Sequence, residues 1–175
     1  MRRVLKAASI VMACLPFILG AQSYGRDVSI SGGAMGYDAS GTGTAPLIAI
    51  RTSSQIVGSW ILGELNFGYA TLDEQFSDVS TRVGIGEGQV QLQLPSHALR
   101  PYLGVGGGWL HYFNHAGGNR PTNPRTYSGS LGLRVAFPSR LMLRTEMRLR
   151  GWDSSVNGNG TNSGMEYTAG VGYAF

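Results

Sequence analysis

SGMEYTAGVGYAF, residues 163–175, alternates residue by residue between two kinds of side chain. Met165, Tyr167, Ala169, Val171, Tyr173 and Phe175 fall on one parity, and Glu166, Thr168, Gly170, Gly172 and Ala174 fall on the other. A period of two is a strand with one apolar face and one small or polar face. A strand of about 9 to 11 residues is also what crosses a bilayer at the usual tilt of a transmembrane barrel.

The run at 141–152 says which face is which. Leu141, Leu143, Thr145, Met147 and Leu149 share one side, while Met142, Arg144, Glu146, Arg148 and Arg150 share the other. An arginine facing the hydrocarbon midplane costs about 2 to 4 kcal/mol, so the charged side points inward. The run at 59–71 reads the same way, with Ile61, Leu65, Phe67 and Tyr69 outward and Glu64 and Asn66 inward. So does 126–137, with Leu131, Leu133, Val135 and Phe137 outward and Arg134 inward. The expected lumen network therefore joins Glu64, Glu146 and Glu166 to Arg134, Arg144, Arg148 and Arg150. Arginine suits this place because its planar fork bridges two carboxylates while staying charged. A soluble eight-stranded barrel would invert the pattern, and no apolar ligand pocket wants four ionised groups on one strand.

Eight strand-like runs follow from the same alternation: 26–37, 46–53, 59–71, 80–94, 101–113, 126–137, 141–152 and 163–175. Long polar connections near 38–45, 72–79, 114–125 and 153–162 alternate with tight ones at 95–100 and 138–140. Long-short alternation predicts a closed, antiparallel up-and-down transmembrane barrel of all-β class, with both termini in the periplasm. With about eight strands the bore is just wide enough for side chains to fill, so the charged network would plug it. Two runs keep an open phase. Gln89, Gln91 and Gln93 alternate with Val90, Leu92 and Leu94, but Val83 and Ile85 share the glutamine parity, which suggests a bulge near Gly86 or Gly88. In 102–113 the alternation fits with either face inward. Trp60, Tyr69, Tyr102, Trp109, Tyr112, Phe113, Tyr127, Phe137, Trp152, Tyr167, Tyr173 and Phe175 lie mostly near run ends, where interfacial aromatic belts form.

Residues 1–23 read as a cleaved secretion signal. Arg2, Arg3 and Lys6 precede an apolar run from Ala7 to Leu19, too short to span a bilayer as a helix, and small residues at Ala21 and Ser23 follow. Cleavage after Ser23 is expected, with Ala21 and Gly25 as alternatives, leaving 24–175 as the barrel. Removing the signal leaves 11 basic against 10 acidic residues, so the formal charge of +4 falls to +1. Nothing then favours a nucleic-acid partner. Cys14 is the only cysteine and goes with the signal, which excludes disulfides and thiolate chemistry from the mature chain. No later segment reaches the 18 or more apolar residues of a membrane helix.

The segment Arg100-Pro-Tyr-Leu-Gly-Val-Gly-Gly-Gly-Trp109 resembles the RPY-x-G-x-G-x-G motif of the small outer-membrane β-barrel superfamily that contains the OmpX, OmpW and OmpA-barrel types. The aromatic-ending strand likewise resembles the closing strand of Gram-negative outer-membrane barrels. The resemblance spans the mature chain in architecture and these two segments in sequence. It implies residence in the cell outer membrane and gives Tyr167, Val171, Tyr173 and Phe175 as the signal read by the barrel-assembly machinery.

For function, the expectation is a non-enzymatic barrel whose outer loops contact lipopolysaccharide, other outer-membrane lipid or a surface partner. Arg120 and Arg125 are the candidate loop contacts for lipid phosphates. Narrow porin-like permeation is one alternative. An enzyme acting on lipid A is the other: His111-Tyr112-Phe113 resembles the His-x-Ser motif of the lipid A 3-O-deacylases, with Phe113 where the serine would stand. Ser128 or Ser130 could approach His111 across the hairpin, with Glu87 orienting the ring. His97 and His115, the remaining histidines, stand in connections. No metal-ligand spacing or cofactor motif is present, and neither is expected.

Overall fold

The computed structural model describes residues 25–36, 43–73, 80–96, 98–113, 123–154 and 160–175. Eight strands account for nearly all of them: β1 (Arg26–Gly36), β2 (Thr44–Val57), β3 (Ile61–Asp73), β4 (Ser80–Gln93), β5 (Leu99–Tyr112), β6 (Arg125–Ala136), β7 (Leu141–Ser154) and β8 (Gly160–Ala174). Each pairs antiparallel with its neighbour in sequence, and β1 pairs with β8, so the sheet closes into an up-and-down barrel. Closure matters because a sheet edge leaves backbone N–H and C=O groups without partners. At the seam, Arg26 N donates to Phe175 O at 3.2 Å and Phe175 N donates to Arg26 O at 2.9 Å.

Alternation sets the two surfaces. Ile48, Ile50, Leu65, Phe67, Leu131, Leu143 and Val171 face outward, and Val105 is 70% exposed. Polar and charged side chains fill the inside, where Arg148 is 0% exposed. The connections at 58–60, 94–98 and 137–140 lie at the same end as Arg26 and Phe175, and the strand ends at Gly36/Thr44, Asp73/Ser80, Tyr112/Arg125 and Ser154/Gly160, where the long connections are expected, lie at the other, the long-connection end.

Three expectations need correction. No bulge interrupts β4: its registers with β3 and β5 run through Gly86 and Gly88 without a shift. Val83 and Ile85 point inward with the glutamines because the bore itself becomes apolar toward the long-connection end, where they join Met35, Leu47, Leu110 and Trp152. The register shift lies instead at Gln55/Val57, where β2 extends beyond the expected run into a turn with Gly58 at positive φ. Finally, Tyr102 and Trp152 are not belt residues, since both are buried in the bore.

The phase of β5 follows from space. Tyr102, Gly104, Gly106, Gly108 and Leu110 face inward, and Leu103, Val105, Gly107 and Trp109 face outward. A Cβ on Gly104 would stand 2.7 Å from the Gln89 and Ser130 side chains, and one on Gly106 would stand 2.7 Å from Glu87 Oε1. A Cβ on Gly108 would run into the Gly86 carbonyl, whereas one on outward Gly129 would meet nothing within 4 Å. Gly108→Ala is therefore expected to destabilise the barrel by about 1 to 3 kcal/mol, the usual cost of overpacking, and Gly129→Ala to change little. Urea titration read by the gel shift between folded and unfolded forms would measure both.

Candidate functional site

The lumen carries the densest polar chemistry in the molecule. Strands deliver it from all sides, because every second residue of each strand points to the axis. Glu64 on β3 receives Arg144 Nη1 at 2.5 Å, Arg144 Nη2 at 2.9 Å and Arg134 Nη2 at 3.1 Å. Arg144 also donates to Glu146 Oε2 at 2.6 Å. Arg148 donates through Nε to Glu146 Oε1 at 3.0 Å and through Nη1 to Glu87 Oε1 at 2.9 Å. Nearer the long-connection end, Arg150 bridges Glu166 Oε1 at 2.6 Å and Glu87 Oε2 at 2.5 Å.

All seven residues expected in the network thus meet in one continuous lattice. Sequence reasoning left out several of its members. Arg51 on β2 reaches Glu146 Oε1 at 3.3 Å, Asn66 Oδ1 at 3.2 Å and Thr168 Oγ1 at 3.1 Å. Its signal is the parity of Leu47, Ala49, Arg51 and Ser53 against Ile48 and Ile50, which lies wholly within the expected run 46–53. Glu87, which pairs with Arg148 and Arg150, is a second omission, and Tyr102 is a third. Its hydroxyl donates to Glu146 Oε2 at 2.6 Å and accepts from Arg144 Nε at 2.8 Å, while Arg134 and Arg144 stack on its ring at 4.7 and 5.1 Å. Gly132, its register partner on β6, leaves room for that ring.

The conjectured serine–histidine–glutamate set is not assembled. His111 projects from the outer wall, where Nδ1 lies 2.6 Å from Asn123 Oδ1 and the ring meets Phe113 edge-on at 4.7 Å. Ser128 faces inward and donates to Glu87 Oε1 at 2.5 Å, and Ser130 accepts from Gln89 Nε2 at 2.6 Å. The backbone sheet stands between the histidine and both serines. A catalytic set needs its members within hydrogen-bond reach, so these do not form one.

Of the remaining expected residues, Tyr167, Val171, Tyr173 and Phe175 are exposed on the outer wall. Arg125 is exposed at the start of β6. Arg120, His97, His115 and residues 1–23 lie outside the described residues. Among the described residues no group of three or more His, Cys, Asp or Glu could hold a metal ion.

Closed antiparallel topology, an apolar wall and a charged bore occur together in this chain. The fold is that of the small outer-membrane barrels. Neisserial surface protein A superposes with a TM-score of 0.68 at 14% identity, over 89% of this chain and 99% of that one. OprG from Pseudomonas aeruginosa gives 0.61 at 12% identity, over 89% and 98%. The outer membrane enzyme PagL gives 0.57 at 13% identity, over 85% and 99%. No protein-family profile matches the sequence, and no curated protein matches it either.

Removing one member of the lattice leaves its partners charged and buried, at a cost of about 3 to 5 kcal/mol. Glu64→Ala and Glu146→Ala are each expected to lose that much, whereas Arg26→Ala, on an exposed side chain, should lose little. Equilibrium unfolding in detergent micelles would compare them.

Proposed function

We propose that this chain is an integral outer-membrane barrel without catalytic activity, which acts through the long connections at one end. The observation that carries the proposal is the inversion of polarity. Large apolar side chains cover the outside, and arginines and glutamates fill the inside, an arrangement that suits lipid around the wall and no aqueous solvent. The shared fold with outer-membrane proteins supports the same location. Residues 1–23 serve as the secretion signal in this reading, and both ends of the mature chain lie in the periplasm with the short turns. Phe175 and its apolar neighbours on β8 are the part read by the assembly machinery.

A rigid wall leaves variation, and hence recognition, to the loops. Lipopolysaccharide and other outer-membrane lipids are the proposed contacts, with Arg120 and Arg125 toward their phosphates, and a surface component is the proposed loop partner. The filled bore disfavours porin-like permeation. The enzyme reading draws only on sharing a fold with PagL, and the separation of His111 from Ser128 speaks against the one catalytic set the sequence suggested.

Recovery in the outer-membrane fraction with heat-dependent gel migration is expected, and a soluble species that needs no detergent would sink the proposal. Deleting residues 115–125 should preserve that migration while releasing whatever envelope molecule copurifies. Mass spectra of lipid A should be unchanged by His111→Ala or Ser128→Ala. An acyl-chain difference between wild type and either variant would restore the enzyme reading.

A further inference from the structure

The bore differs from one end to the other. Toward the long connections, Met35, Leu47, Val83, Ile85, Leu110 and Trp152 pack into one buried apolar cluster. They come from β1, β2, β4, β5 and β7, so the cluster spans the bore rather than lining one side. The ion lattice lies directly below, since Arg150 precedes Trp152 by two residues on the same face of β7.

The opposite end mixes buried apolar groups such as Leu62 and Met142 with a polar corner on β1 and β2. Asp27, Ser29 and Ser53 are buried there, and the Ser53 hydroxyl donates to Asp27 Oδ2. Among the described residues six buried atoms lack a hydrogen-bond partner: Glu87 Oε2, Arg134 Nε and Arg150 Nη2 lie within the ion lattice, and Asp27 Oδ1, Ser29 Oγ and Arg51 Nη1 lie together on β1 and β2. Ser29 is the register partner of Arg51, and Asp27 is that of Ser53, so the three groups occupy neighbouring places on one face of β1 and β2. Each such group costs free energy unless something satisfies it. A cation there would face Arg51 and an anion would face Asp27. Water, which donates and accepts, suits all three. The apolar cluster offers water no hydrogen bond, and apolar constrictions expel it.

We infer that the bore is a blind aqueous pocket, in which water enters at the Asp27 end as far as Arg51 and an apolar septum around Leu110 and Trp152 closes the other end. The lattice and the septum are two barriers in series, so loosening the lattice alone opens no pore. Which side of the membrane the pocket faces rests on the proposed orientation, but the pocket itself does not.

Silver ions, small enough to follow water between side chains, test this on single cysteines in the folded, vesicle-embedded barrel, with Cys14 replaced by serine throughout. Ser29→Cys and Ser53→Cys are expected to react, while Val83→Cys and Leu110→Cys stay protected until heat unfolds the protein. Val83→Cys reacting as readily as Ser53→Cys, or Ser29→Cys as protected as Leu110→Cys, overturns the inference. Silver confined to the long-connection face of the vesicles should leave Ser29→Cys and Ser53→Cys unreacted, and their reaction from that face overturns the inference. Planar-bilayer recording supplies a second test. Glu64→Gln combined with Arg144→Gln, once its heat-dependent migration shows a folded barrel, should pass no sustained current while the septum is intact. A steady current in that variant refutes the inference.

Discussion

Glu64 is the charge around which the interior is organised. Arg134, Arg144 and Arg148 approach it from across the bore at 3.1, 2.5 and 3.5 Å, and none of the four residues is more than 3% exposed. Charges so far from water are tolerated only when paired and hydrogen-bonded on nearly every side. That condition cannot be met on an open sheet, where the far wall is missing. Ring closure and the lattice therefore depend on each other. The lattice also acts as a brace, since Arg51 on β2, Glu64 on β3, Glu87 on β4, Arg134 on β6, Arg148 on β7 and Glu166 on β8 belong to it.

Volume is the second constraint. An eight-stranded bore holds side chains and little else, so the five arginines that are no more than 1% exposed need gaps opposite them. Inward glycines supply those gaps. Gly104 and Gly106 face Gln89 and Glu87, and Gly132 makes room for the Tyr102 ring that carries two guanidinium groups. The outward glycines have a different setting. Gly84 and Gly86 lie under the Phe113 and Trp109 rings, which cover the backbone that a side chain would otherwise shield.

Fold and role separate clearly in this architecture. The same barrel superposes on a surface protein and on an enzyme, each at 14% identity or less. What such barrels share is the alternation that puts apolar groups outside and a packed polar column inside. What distinguishes them resides in the loops and in side chains at particular heights on the wall. His111 illustrates the point: its sequence neighbourhood hints at catalysis, but its parity aims it away from every serine and glutamate it would need.

Strand identity and facing were legible in the sequence wherever one strand carries both leucines and charges. Arg144, Glu146, Arg148 and Arg150 alternate with Leu143, Met147 and Leu149, and the cost of exposing charge to hydrocarbon leaves a single orientation. Where a run mixes glycine with apolar residues on both faces, as in 102–113, that cost is absent and the phase stays undetermined. Tertiary packing decided it, because only the inward set of glycines leaves space for Glu87 and Gln89 from the neighbouring strand. Partner choice was likewise beyond local pattern. Parity places a side chain in the bore, but whether Arg51 meets Glu146 depends on the height and angle at which β2 and β7 face each other across the closed ring. The apolar stretch of β4 at Val83 and Ile85, read locally as a break in phase, becomes intelligible only beside Met35, Leu47 and Trp152, which come from strands distant in sequence. Alternation is a property of one strand and can be read along the chain, whereas the contents of the bore are a property of eight strands at once.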